Sequence, residues 1–162
     1  MRIVYGDICG AVCDAIVNAS NGIGFMGGAL GIRKKLSGVA ESIHFVTQGQ
    51  VEKEAKVICR NYSLVGLRPG SVFVTNAYNL NCRYVIHAVT MRYPGTLASM
   101  KTVRQLLPLI LEQARELNLK SITLPLLGTG TGGLKDKKVL ELYTEFFADV
   151  DDIDVCVCLY QK

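Results

Sequence analysis

The sequence predicts an α/β fold: a three-layer α/β/α sandwich around a mixed, mostly parallel central sheet of about six strands. Three observations predict it. Strand-like and helix-like segments alternate along most of the chain, the order that builds parallel sheets. Strand candidates such as Ala15–Ala19 and Tyr84–Val89 are continuous apolar runs, as expected of strands covered on both faces. Two passages, Ile16–Gly31 and Leu124–Gly133, run from a strand through a glycine-dense turn.

Taken in order, Arg2–Ile8 reads as a first strand ending at Gly6-Asp7-Ile8, and Ala15–Ala19 as a second. Ala29–Leu36 follows as a short helix with Arg33, Lys34 and Lys35 at its dipole-favoured C-terminal end. Val39–Gln48 and Val51–Tyr62 read as two helices divided by Gly49. After Pro69-Gly70 come the strands Ser71–Thr75 and Tyr84–Val89. Thr102–Asn118 has helical periodicity, with a kink or restart expected at Pro108. Ser121–Pro125 is a fifth strand. Asp136 is placed to cap a helix running to Ala148, with Val139, Tyr143, Phe146 and Phe147 inward. Ile153–Tyr160 is the last strand.

The 162 residues fit a single domain, 1–162, which buries roughly 70% of its unfolded surface. No apolar run approaches the ~18 residues of a membrane span. Met1 leads directly into strand-like Arg2-Ile3-Val4-Tyr5 with no export signal. A cytoplasmic protein without a membrane partner is expected. The net charge of +4 suits anionic ligands but is too small and scattered for direct duplex DNA readout. Six cysteines occur without a CxxC pair or nearby histidine ligands. They read as buried free thiols, with no metal and no cofactor implied.

The glycine turns carry the chemistry. Gly22, Gly24, Gly27, Gly28 and Gly31 are five glycines within ten residues, and such freedom is useful where main chain approaches a ligand and helix N-terminal amides face an anion. Two turns of this kind suggest one diphosphate held from both sides. Each matches a bare GxGxxG, a weak signal alone. The first follows the second strand rather than the first, against a dinucleotide-binding Rossmann unit. Gly128 and Gly133 are spaced as in a P-loop, but Leu134-Lys135-Asp136 replaces its Lys-Ser/Thr, so that reading is rejected.

Five blocks together are more specific: Gly6-Asp7-Ile8, Asp14–Asn21, Met26-Gly27-Gly28-Ala29, Tyr84–Val89 and Ser121–Gly130. In this order and spacing the chain resembles a macrodomain, a module that binds ADP-ribose, and the resemblance covers nearly its whole length. It implies that Asp7 accepts a hydrogen bond from the adenine amino group, with the Ile8 backbone beside it, a pairing guanine's carbonyl cannot offer. Asn21 would bind the distal ribose hydroxyls, while Asn18 ties loop backbone. Gly27, Gly28, Ala29 and Leu30 would present N–H groups to the distal ribose and one phosphate. Gly128, Thr129, Gly130, Thr131 and Gly132 would close over the diphosphate, and Tyr160 would lie against adenine.

Departures from the family pattern matter. Ala29 replaces a common glycine, and Gly132 a common aromatic. Gly31 stands where an aspartate serves in one hydrolase branch, and the glutamate pair and the Cys/His pattern of other branches are missing. His87 lies mid-strand in an apolar run and reads as a buried, hydrogen-bonded histidine rather than a base. Lys135, Lys137 and Lys138 read as a solvated helical turn. The resemblance therefore implies a binder of ADP-ribose or of ADP-ribosylated protein or nucleic acid. One alternative is a hydrolase acting on the distal ribose (ADP-ribosyl hydrolase, O-acyl-ADP-ribose deacylase or ADP-ribose 1″-phosphatase), with Asn21 as its catalytic candidate. Another is an NAD-binding enzyme.

Overall fold

Six strands form one sheet in the order β1-β6-β5-β2-β4-β3. The computed structural model describes residues 1–160. The strands are β1 (Arg2–Tyr5), β2 (Ala15–Asn21), β3 (Val72–Asn76), β4 (Tyr84–Met91), β5 (Ser121–Leu124) and β6 (Asp154–Leu159). The helices are α1 (Gly28–Arg33), α2 (Val39–Val46), α3 (Gln50–Tyr62), α4 (Met100–Glu116) and α5 (Asp136–Phe146). Only the edge strand β3 is antiparallel, against β4; β1–β6, β6–β5, β5–β2 and β2–β4 are parallel. The sheet is therefore mixed and mostly parallel, as the sequence predicts.

Side-chain alternation divides each central strand between two apolar layers. Ala15, Val17, Ile86 and Ala88 pack with α4 and α5 residues such as Leu106, Ile110 and Tyr143. On the other face, Ile16 and Val85 pack with Ile43 and Val51 from α2 and α3. Both faces of β2 and β4 are buried, which explains why their sequences do not alternate apolar with polar residues. Among the described residues no helix is long and apolar enough to cross a membrane.

Several boundaries differ from expectation. β1 stops at Tyr5 because Asp7 turns the chain, accepting the Cys9 N–H at 3.0 Å to cap a short 3-10 turn over Ile8–Gly10. α1 ends at Arg33, so Lys34 and Lys35 lie beyond the helix. No restart occurs at Pro108; α4 continues through it, capped by the Ser99 hydroxyl on the Thr102 N–H at 3.1 Å. Pro108 sits on the exposed side of the helix, where a missing N–H leaves no buried group unpaired. Lys135, not Asp136, is the N-cap of α5, and it makes no side-chain cap bond.

His87 is fully buried, as expected. Its ring stacks on Phe73 and lies 3.1 Å from Asn18 Nδ2 and 3.0 Å from Thr75 Oγ1. Burial pushes its pKa down to about 3, so it is a neutral structural group at physiological pH.

Candidate functional site

The crevice begins where β2 and β5 part. They pair only at Ala15↔Ile122 and Ile16↔Thr123, after which β2 runs on to Asn21 while β5 stops at Leu124. A gap at the carboxyl ends of parallel strands, between two diverging neighbours, is where open α/β sheets take ligands. The two glycine turns follow these strand ends, after Asn21 and after Leu124.

The first turn is stapled by Asn21. Its Nδ2 donates to Phe25 O at 2.7 Å, and its Oδ1 accepts from Phe25 N at 3.1 Å and Ile23 N at 3.3 Å. Loop-tying therefore falls to Asn21, not Asn18, which faces His87 inside the sheet. The asparagine at the strand's end is the one whose amide meets the turning backbone. Its Oδ1 and one of the two Nδ2 N–H groups are engaged by the loop, and the second Nδ2 N–H has no bond among the described residues.

Beneath the same turn lies Glu52, a buried carboxylate on α3. Oε2 accepts the N–H groups of Met26 at 2.6 Å and Gly28 at 3.0 Å, and Oε1 accepts from Lys56 Nζ at 2.6 Å. Gly28 thus has its N–H engaged rather than free, a correction to the expectation that it faces a ligand. The amides of Gly27, Ala29 and Leu30 make no backbone hydrogen bond among the described residues, and they remain as donors at the start of α1. Burial raises the Glu52 pKa, but the bonds from Lys56, Gly28 and Met26 outweigh it and hold the carboxyl below its ordinary value.

His44 completes the support. Its Nε2 donates to Gly28 O at 2.8 Å, and Nδ1 lies 3.7 Å from Glu52 Oε2. The ring also fills the space beside Gly31, where an added Cβ would lie 2.8 Å from His44 Cδ2. A carboxylate at position 31 has no room while His44 stands there.

The second turn follows β5 and is held from the opposite layer. Tyr143 on α5 is fully buried, and its hydroxyl accepts the Leu127 N–H at 3.0 Å while donating to Pro125 O at 2.9 Å. Leu134 N donates to Gly128 O at 2.9 Å and Ala98 N to Gly132 O at 3.0 Å, closing the loop on itself and on the segment before α4. Gly128 has φ +76°, and a Cβ there would lie 2.9 Å from both Ala98 Cβ and Leu134 Cδ1. At Gly132 a Cβ would lie 2.6 Å from Gly128 O, so the aromatic common at that position cannot be accommodated. Thr129 turns inward, its hydroxyl donating to Leu126 O at 3.0 Å. The amides of Gly128, Gly130, Thr131 and Gly132 make no backbone bond among the described residues.

Asp7 sits past β1, at the sheet's far edge from β3. Besides Cys9 N, its carboxylate pairs with Lys35 Nζ and lies 3.5 Å from the Ser42 hydroxyl. Burial raises its pKa, but the Lys35 and Cys9 bonds bring the net value below the ordinary range. Ile8 is buried beneath it and Tyr160 is exposed at the end of β6, where Gly6 N donates to Leu159 O at 3.0 Å. Asp7 and Tyr160 thus occupy neighbouring strand ends. Lys135, Lys137 and Lys138 are exposed to solvent.

Glu52, His44, Tyr143 and Lys35 were not singled out as site residues by sequence. For Glu52 a signal exists: it shares the helical stripe of buried Ala55 and Cys59 at i+3 and i+7, and a carboxylate on a buried stripe demands a partner.

A family profile described as Macro domain matches residues 17–143. A protein of Sulfurisphaera tokodaii is 32% identical over 169 residues, covering 100% of this chain and 85% of its own length. The Oceanobacillus iheyensis macrodomain, in a variant solved with ADPR, superposes with a TM-score of 0.79 at 26% identity, covering 99% of this chain and 84% of that one. A Trypanosoma brucei macrodomain in complex with ADP-ribose gives a TM-score of 0.73 at 25% identity, over 99% of this chain and 64% of that one. The profile match over most of the chain, on a fold with the same architecture, establishes that this chain belongs to the Macro domain family.

Proposed function

We propose that this protein binds ADP-ribose, free or attached to a macromolecule, in the crevice between β2 and β5. The observation that carries the reading is the pair of glycine turns with unengaged amides on either side of that crevice. Amides at α1 and in the second turn would hold the diphosphate, and Asp7 would accept the adenine amino group with Tyr160 alongside. Each charge-assisted bond contributes ~1.5–3 kcal/mol, and a handful, less ordering costs, is consistent with micromolar affinity of about −8 kcal/mol. Binding is favoured over turnover because the side chains a hydrolase would use are otherwise committed. Asn21 staples its loop, His87 is buried and neutral, and Gly31 has no carboxylate and no space for one. The free thiols at all six cysteines support a reducing cytoplasm as its location.

Calorimetry with ADP-ribose tests this. Saturable binding is expected, with Asp7→Ala weakening it about 10- to 100-fold, the loss of one charge-assisted bond. A thermal-shift panel should rank ADP-ribose above NAD, ATP and GTP. Absence of heat at millimolar ADP-ribose, or full affinity in Asp7→Ala, refutes the proposal.

Lys35 supplies a second, opposite expectation. Its ammonium occupies the Asp7 oxygen that the adenine amino group would use, so the nucleobase must displace a half-exposed ion pair of about 0.5–1 kcal/mol. Lys35→Met should therefore bind ADP-ribose about 2- to 5-fold more tightly. A weaker affinity would mean that Lys35 instead turns onto the ligand.

A further inference from the structure

A basic hollow opens on the same end of the sheet, beyond Asn21 and away from Asp7. β4 ends at Met91 and leads into Arg92. The edge strand β3 is antiparallel, so the segment entering it, Arg68–Ser71, returns to this end, with Gly70 N donating to Val89 O at 2.8 Å and Val89 N to Ser71 O at 2.9 Å. The hollow, about 280 Å³, is lined by Ser63, Leu67, Arg68, Ser71 and Arg92 among others. Gly22, in the first glycine turn, is bonded to two segments that line the hollow: its N–H donates to the carbonyls of Arg92 at 2.8 Å and Met91 at 3.0 Å, and its carbonyl accepts from Leu67 N at 2.8 Å. A Cβ at Gly22 would lie 2.1 Å from Leu67 O, so the turn and the hollow's rim are in direct backbone contact.

Neither Arg68 nor Arg92 forms an ion pair among the described residues; Arg33, Arg60 and Arg104 form none either, but of these Arg68 and Arg92 alone line this hollow. Two unmatched guanidinium groups bordering one hollow with two serine hydroxyls are suited to a phosphate ester, whose oxygens accept forked N–H donors. The adjoining groove carries Glu112 and Glu116, which confines an anion to the arginine side.

Position supplies the rest, and here the argument rests on ADP-ribose binding as proposed above. With adenine at β1 and the diphosphate between β5 and β2, the strand order leaves the distal ribose near β2. Whatever is joined to that ribose points toward β4 and β3, one to two strand spacings or ~5–10 Å further on. We propose that Arg68 and Arg92 form a second subsite, which binds a phosphate carried by the group attached to the distal ribose. The phosphate comes from one of two sources: a monoester on the ribose itself, or the diester of an ADP-ribosylated oligonucleotide.

Competition titrations would use four probes: ADP-ribose, ADP-ribose 1″-phosphate, an ADP-ribosylated single-stranded pentanucleotide and an ADP-ribosylated peptide lacking phosphate. At least one phosphate-bearing probe should bind about 10-fold or more tightly than ADP-ribose, with a steeper salt dependence, and the peptide should show no such gain. Which probe gains identifies the source. Arg68→Gln combined with Arg92→Gln should abolish the gain while leaving ADP-ribose affinity unchanged. Arg68 is exposed, so Arg68→Glu alone provides the same test should the double variant fold poorly. Equal affinity for all four probes, or a gain that survives both variants, overturns the subsite. Failure of the wild-type protein to bind ADP-ribose at all would instead overturn the underlying reading.

Discussion

Glu52→Ala is expected to lower ADP-ribose affinity at least 100-fold and to destabilise the fold by about 2–5 kcal/mol, the cost of leaving two loop amides without their acceptor. Two mechanisms combine. The Met26 and Gly28 amides, 2.6 and 3.0 Å from Oε2, lose their acceptor beneath the loop, and each orphaned donor costs about 1–3 kcal/mol. The loop then no longer aims the neighbouring amides of Gly27, Ala29 and Leu30 at the crevice. Glu52→Gln keeps an acceptor and should retain more of both properties. Urea denaturation and calorimetry on the two variants check this, and wild-type affinity in Glu52→Ala would show that the loop holds its shape without the carboxylate. The same group imposes a pH dependence. Its folded pKa lies below the unfolded glutamate value, about 4.3, so its stabilisation is complete above that value and is lost as pH falls through the lower, folded one.

Tyr143→Phe is expected to cost about 2–4 kcal/mol and to weaken ADP-ribose binding about 10-fold. The ring and its edge contact to Phe147, with centroids 5.7 Å apart, would persist. What disappears is the hydroxyl that accepts from Leu127 N and donates to Pro125 O. Both backbone groups lie in a buried segment, so each carries the penalty of an unmade bond. Thermal unfolding and calorimetry separate the two effects. Unchanged binding alongside reduced stability would mean that the Leu134–Gly128 and Ala98–Gly132 bonds suffice to shape the second turn.

These two side chains show where the sequence ceases to be informative. The turns themselves are legible because glycine spacing, strand runs and the Asp7 cap are local patterns. The pairing of turns into one crevice follows from an alternating order of elements. Their supports are not local: Glu52 reaches back to Met26 and Gly28 from another helix, and Tyr143 reads as an ordinary inward aromatic whose hydroxyl has no visible partner in sequence. That loop-tying falls to Asn21 and not to Asn18 has the same origin. Both are asparagines on one strand, and which of them meets a turning backbone depends on where that strand ends. Lys35 reads in the sequence as a helix-end charge because the pattern extends α1 to Leu36; the helix instead ends at Arg33, and Lys35 pairs with Asp7.

The sheet's first strand has a consequence for assembly. Among the described residues β1 pairs only with β6, from Arg2↔Cys156 to Tyr5↔Leu159, so its pairing closes a loop nearly as long as the chain. Contacts of such separation are established late, after local helices and nearer strand pairs have formed. The four inner strands can gather both glycine turns before that happens, but Asp7 and Tyr160 come to neighbouring strand ends only when β1 docks on β6. The proposed phosphate contacts thus draw on strands whose pairing closes shorter loops, and the proposed adenine contacts on the edge whose pairing closes the longest one.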